Sequence, residues 1–338
     1  MKHTGTYGKT WRMFAGLLIL LPLTLWAGLS LGSVEVPAGE IIPALLGDAA
    51  TPDSWRSIIR EVRLPRTLGA LAIGMALPVA GLMMQSLFRN ALAGPYVLGV
   101  SSGASLGVAV LLLSGSMGLG IHHPWMMIWA AVTGAGLLMA VVLYFSAKVS
   151  NHVSLLVIGM MIAGLAGAVV GLLQYFSSPE ALKSFVVWTF GDMGGIRRQH
   201  LKYLLPVTAV ALVLSMTFVK SLDAGLLGEE GAANAGFSPR KIRWKVLLLT
   251  GLLAGTATAF AGPVAFIGLA VPHLVRRMSG SPSHRVLLPG VMLAGGVLLV
   301  LCDIIARLPG SSHTLPLNII TSLAGIPVVI SVVLQTKH

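Results

Sequence analysis

The residues that most often carry chemistry are present in this chain, but few stand where they could use it. Gly8-Lys9-Thr10 imitates the tail of a phosphate-binding P-loop, yet the motif's first glycine would fall on His3 and no strand precedes it. No HExxH zinc-hydrolase motif and no paired carboxylate set occurs, and the nine histidines are scattered. His122-His123 could touch a metal, but an adjacent pair without further ligands reads first as a loop turn. The single cysteine, Cys302, excludes an internal disulfide and a CxxC site. Met83-Met84, Met126-Met127 and Met160-Met161 suit flexible packing better than a sulfur pathway. The eleven acids lie almost entirely between apolar runs, with Asp303 the nearest to an intramembrane carboxylate. An ion-coupled transporter usually places ionisable groups inside its spans, and an intramembrane enzyme needs a polar constellation there. Neither pattern is present.

What would hold such residues is a membrane protein. Of 338 residues, 55% are hydrophobic and only 10% charged, with mean hydropathy +0.87. A soluble domain carries about 25% charged residues. Forty glycines suit helices that approach closely in lipid. The net charge of +12 sits in short clusters between apolar runs, without a basic tail or an aromatic-interleaved stripe, so nucleic acid is not an expected partner.

Charge-free runs predict ten spans in a single transmembrane domain, 1–338, of the all-α integral membrane class. Residues 13–34 form the first, too long for a cleaved signal and with no A-x-A-like site, so it is expected to be retained after a cytoplasmic tail, 1–12. Residues 67–88 form the second. The 58 positions from 90 to 147 lack any charge, too many for one crossing, and the turn-rich segment 114–124 divides them into the third and fourth. The fifth is 149–179 and the sixth 203–219. Ala261-Gly262-Pro263 breaks 246–275 into the seventh and a shorter eighth; 286–302 opens the ninth and 316–336 forms the tenth. With both termini inside, 14 Lys/Arg fall on the cytoplasmic side and 9 outside, the direction the positive-inside rule requires.

Two sets of residues stand out against that frame. Arg56, Arg60, Arg63, Arg66, Lys183, Arg197, Arg198, Lys202 and Arg307 are positive on the outer side; they suit phospholipid headgroups or an acidic partner. The longest inside loop, 221–245, contains 226–237, which could form a short amphipathic helix with Glu229 and Glu230 near its start, where acids suit the helix dipole. Such a helix could dock a soluble partner or lie on the bilayer.

Between Arg63 and Gly107 the chain reads RLPRTLGALAIGMALPVAGLMMQSLFRNALAGPYVLGVSSGASLG, and further segments read LGEE…AG (227–236), GPVAFIGL…PH (262–273), HR…PG (284–290), AG (294–295), DIIAR (303–307) and GIP (325–327). In order and spacing, over 15–335, these resemble the FecCD family, permeases of bacterial ABC importers for iron–siderophores, haem and cobalamin. The resemblance implies a homodimeric type II importer of ten-helix subunits in the bacterial inner membrane. It implies two cytosolic ATPase subunits that bind ATP and Mg, leaving no cofactor in this chain, and a periplasmic or lipid-anchored substrate-binding protein. It also implies roles for particular residues. Arg63, Arg66 and Arg307 match the family's docking arginines. Leu227, Gly228, Glu229, Glu230, Ala233 and Gly236 match its ATPase-coupling helix. Asn151, His152, Val153 and Ser154 match its cytoplasmic gate, where small hydroxyl residues are usual and His152 departs. Thr314-Leu315-Pro316-Leu317-Asn318 departs from the family's Glu-Leu-Pro-x-Gly, Trp188-Thr189-Phe190-Gly191-Asp192 from Trp-x-x-Gly-Ser, and Arg89-Asn90-Ala91-Leu92-Ala93 from RNPLA. A membrane-embedded enzyme and an ion-coupled transporter remain the alternatives on composition alone.

Overall fold

The computed structural model describes residues 3–48, 50–114, 124–149, 151–307 and 314–335; His122 and His123 lie outside them. Each of the ten apolar runs becomes a helix. They are α1 (His3–Ser30), α4 (Leu64–Phe88), α5 (Val100–Leu113), α6 (Pro124–Lys148), α7 (His152–Tyr175), α9 (Arg198–Thr217), α12 (Pro239–Ala261), α13 (Ile267–Ser279), α14 (His284–Ala306) and α15 (Leu317–Gln335). Short helices fill the connections: α2 (Ile41–Leu46), α3 (Asp53–Ser57), α8 (Pro179–Thr189), α10 (Val219–Gly225) and α11 (Glu229–Asn234). Among the described residues, seven helices are long and apolar enough to cross a membrane alone; α5, α13 and α15 are the shorter members.

The helix that organises the bundle is α4. In its most apolar window 83% of residues are buried, against 22% for α1 and α7, so α4 lies inside the protein while those two are peripheral. It packs against α14, α12, α13 and α9. Without water as a driving force, such packing depends on backbones approaching closely enough for dispersion contacts. Small residues permit this at two seams. A Cβ on Gly81 would stand 1.7 Å from the Gly268 carbonyl oxygen of α13, and one on Gly74 would stand 2.5 Å from that of Gly295 in α14. On α5, Gly103 and Gly107 face the carbonyls of Gly134 and Ala130 on α6, which accounts for their four-residue spacing. Gly81→Val therefore has no room in the central seam. It is expected to destabilise the protein by about 1–3 kcal/mol or more, read as a lowered melting temperature in detergent.

The break between α12 and α13 is built from neighbouring backbones. Gly262 has φ +72 and Phe266 φ +64, so the chain turns sharply before α13. Asn318 at the start of α15 accepts a hydrogen bond from the Ala265 N–H at 2.8 Å and donates to the Thr189 carbonyl at 3.0 Å. Asp192 N–H bonds the Ala261 carbonyl at 2.9 Å. The departure at Asn318 thus has a local reason: its side chain ties α8, the α12–α13 break and α15 together.

Candidate functional site: a charged outer corner and an inner coupling surface

The three arginines expected to dock a partner converge at one corner of the bundle, but their side chains are buried, with 3, 7 and 7% exposure for Arg63, Arg66 and Arg307. A π-helical stretch, Ile58–Arg63, leads into α4 and carries Arg63 toward the end of α1. There it donates to the carbonyls of Leu29 at 2.8 Å, Ser30 at 2.7 Å and Val34. Arg307 donates to the carbonyls of Gly28 and Leu31, both at 3.2 Å. The last four carbonyls of a helix have no partner within it, and the dipole makes that end negative. Two guanidinium groups satisfy both needs for α1. Arg66 Nε donates to Asp303 at 2.8 Å, Arg307 Nη2 lies 3.0 Å from the other Asp303 oxygen, and Arg66 Nη2 lies 3.6 Å from Asp192. Asp303 is 1% exposed, and this buried carboxylate is held between two cations. Contact with lipid headgroups or with a partner's acids would need these three arginines uncovered. The exposed positive charges of that set are Lys183, Arg197, Arg198 and Lys202, with Arg198 near Glu61 at 3.3 Å.

At the opposite end, the expected coupling helix is shorter than its sequence suggested. Gly228 has φ 104 and ψ 169, a conformation essentially reserved for glycine, and it splits the segment into α10 and α11. Leu227 is 72% exposed, and Glu230, Ala233 and Gly236 are exposed as well, Gly236 with φ +82. The side chains of Glu229 and His152 lie outside the described residues. In the gate segment, Asn151 caps α7 by accepting from the Val153 N–H at 2.8 Å, and both Val153 and Ser154 are exposed.

A polar chain, not visible in the sequence, fastens this surface to the central helix. Asp223 on α10 accepts from the backbone N–H of His284 at 2.9 Å and lies 2.7 Å from its Nδ1. His284 Nε2 lies 2.6 Å from Ser86 Oγ on α4. The order Ser–His–Asp is that of a nucleophilic triad. Ser86 and His284 are 5 and 1% exposed, however, and the adjoining cavity of about 30 Å³ has room for about one water and no acyl substrate. The chain therefore acts as a clamp joining α4, α10 and α14. Beside it, Gln85 donates to the Leu269 carbonyl at 3.2 Å and accepts from Arg276 at 2.7 Å, and His273 Nε2 sits 2.7 Å from the Ala91 carbonyl. The inner turn after α4 is thereby fixed to α13. Asp223 and His284 are 61 residues apart, so no spacing could have paired them. Ser283, which caps α14 by accepting from Arg285 N–H, marked only the helix start.

The chain is thus a many-helix bundle of membrane-spanning length with a central buried helix and a glycine turn between two short helices at one end. The FecCD transport family model matches residues 18–335, and this chain belongs to that family. It is 34% identical over 328 residues to the vitamin B12 import system permease protein BtuC of Klebsiella pneumoniae, covering 96% of this chain and 94% of that one. It is likewise 34% identical over 332 residues to the hemin transport system permease protein HmuU of Yersinia pestis, covering 97% of each. A solved structure described as an inward-facing conformation of an ABC transporter assigned to the metal-chelate type superposes with a TM-score of 0.83 at 30% identity, over 96% of this chain and 98% of that one. The protein is a multi-pass permease of the bacterial ABC-importer type.

Proposed function

We propose that this chain pairs with a second copy to form the translocation unit of an importer for a metal chelate, namely an iron–siderophore, haem or cobalamin. Alternating access moves the cargo from periplasm to cytoplasm, and both termini face the cytoplasm. Two separate ATPase subunits bind ATP and Mg, and they engage the exposed α10–α11 surface built from Leu227, Gly228, Glu229, Glu230, Ala233 and Gly236. The observation that carries this reading is the union of family membership with that hinged surface, clamped through Asp223 and His284 to α4. Closure of the ATPases would tilt α10–α11, and the clamp would pass the tilt to α4 and α14. Asn151, His152, Val153 and Ser154, at the start of α7, form the inner gate. A second copy is supported by α7 and α15, whose exposed apolar side chains include Met161, Leu165 and Leu323 at 70, 68 and 71%.

A periplasmic or lipid-anchored binding protein docks at the outer corner. Arg63, Arg66 and Arg307 hold that corner together, and Arg197 and Arg198 offer the accessible charge. Reversal of the buried arginines would test folding more than docking. Arg197→Glu with Arg198→Glu should instead weaken binding-protein association about tenfold at low salt and less at high salt, measured by surface plasmon resonance with unchanged melting temperature. Unaltered association would remove docking from these two residues. An ion-coupled transporter is disfavoured because Asp303 is paired with two arginines.

A further inference from the structure

A groove of about 720 Å³ runs between α6 and α12, with the end of α9 closing its mouth. Its walls are apolar, from Val132, Gly136 and Leu143 on α6 to Leu252 on α12, and Lys245 is its one charged lining residue. The groove extends along α12 from Lys245 to Thr256 and along α6 from Val132 to Leu143. At 1.5 Å per residue either path is about 16 Å. That is half of a hydrocarbon core roughly 30 Å thick, the depth of one leaflet. The Lys245 end is the end that carries α10–α11 and the Arg240, Lys241 and Arg243 cluster, the cytoplasmic side by the positive-inside rule.

The charge at the mouth lacks an acid. Among the described residues no carboxylate pairs with Lys245, whose Nζ stands 5.8 Å from the Phe218 ring centroid. Lys241, exposed and four residues earlier, lies one turn nearer the cytoplasm on the same face. The interior is kept open by missing side chains: a Cβ on Gly136 would meet nothing within 4 Å. Leu248 and Leu252 on the wall are 51 and 44% exposed within a spanning helix, where hydrocarbon is the solvent.

We infer that this groove is a binding site for an anionic phospholipid of the inner leaflet, with one acyl chain between α6 and α12 and the phosphate at Lys245. The leaflet-deep length, the apolar wall and the unpaired cation at the headgroup level each match one part of that molecule.

Native mass spectrometry of the detergent-purified full chain tests it, with phosphatidylglycerol or phosphatidylcholine of identical acyl chains added in turn. The wild type should retain phosphatidylglycerol about fivefold better, the increment of one lysine near an anionic headgroup. Lys245→Gln should bring the two lipids close to equal retention. Gly136→Phe, which fills open space, should reduce retention of both; Ala140→Leu, on the same wall, reads the same point if that variant does not fold. A preference unchanged in Lys245→Gln, or retention unchanged when the groove is filled, would overturn the proposal. So would a groove-filling variant that abolishes self-association while retaining lipid, which would assign the groove to a second copy.

Discussion

Asp303→Ala is expected to be among the most damaging single substitutions in the chain. It removes the carboxylate between Arg66 and Arg307, both buried, and leaves two guanidinium groups without that compensation. Removing one partner of a buried charged set typically costs about 3–5 kcal/mol, whereas replacing the whole set with apolar side chains of similar size can be neutral. The detergent-solubilised variant should therefore melt well below the wild type, and the triple variant Asp303→Leu, Arg66→Met, Arg307→Met should recover part of the loss. Recovery would remain incomplete, because Arg307 also caps α1. An Asp303→Ala protein that melts with the wild type would show that the corner is not held by this carboxylate.

The second large effect is expected at Gly228. Its φ of 104 and ψ of 169 cost a residue with a Cβ about 1–3 kcal/mol, so Gly228→Val should shift the whole turn between α10 and α11. The nearest group to where that Cβ would stand is the Arg89 guanidinium at 3.5 Å, an ordinary contact, so the cost lies in the backbone conformation rather than in crowding. In vesicles containing the ATPase and binding protein, uptake should fall at least tenfold while the ATPases continue to hydrolyse ATP. Intact coupling in a folded Gly228→Val protein would remove the hinge from the mechanism. Gly236→Ala, at φ +82 with open space around it, should give a milder form of the same defect.

Much of the architecture was legible because a bilayer makes hydrophobicity and chain length nearly sufficient. Uncharged runs became helices, and the Ala261-Gly262-Pro263 break fell where the sequence placed it. The short helix α8 was missed although Ser178-Pro179-Glu180 is a start signal; the Ser178 side chain accepts from the Ala181 N–H at 3.3 Å. Its 11 residues mix Glu180 and Lys183 with apolar side chains, so it is lost in a search for uncharged runs. Gly228, read as part of a helix from 226 to 237, instead precedes the helix, which spans only Glu229–Asn234.

The outer arginines were the hardest to read. Their position against the positive-inside rule was plain, but the acceptors that explain Arg63 and Arg307 are backbone carbonyls at the end of α1. A carbonyl has no sequence signature, and Asp303 lies 237 residues from Arg66. Side-chain type suggested a surface charge, and the fold also uses Arg63 and Arg307 as a helix cap. The Asp223–His284–Ser86 clamp was invisible for the same reason, since three distant helices bring it together.

As proposed, this chain is the translocating half of an ATP-driven importer and depends on separate ATPases. The direct measurement is uptake of iron–siderophore, haem and cobalamin, each tested separately, into vesicles containing this chain alone or with its ATPase and binding protein. Uptake of one of these chelates is expected only when both partners, ATP and Mg are present, and none from a proton or sodium gradient. Gradient-driven uptake by the chain alone would contradict it.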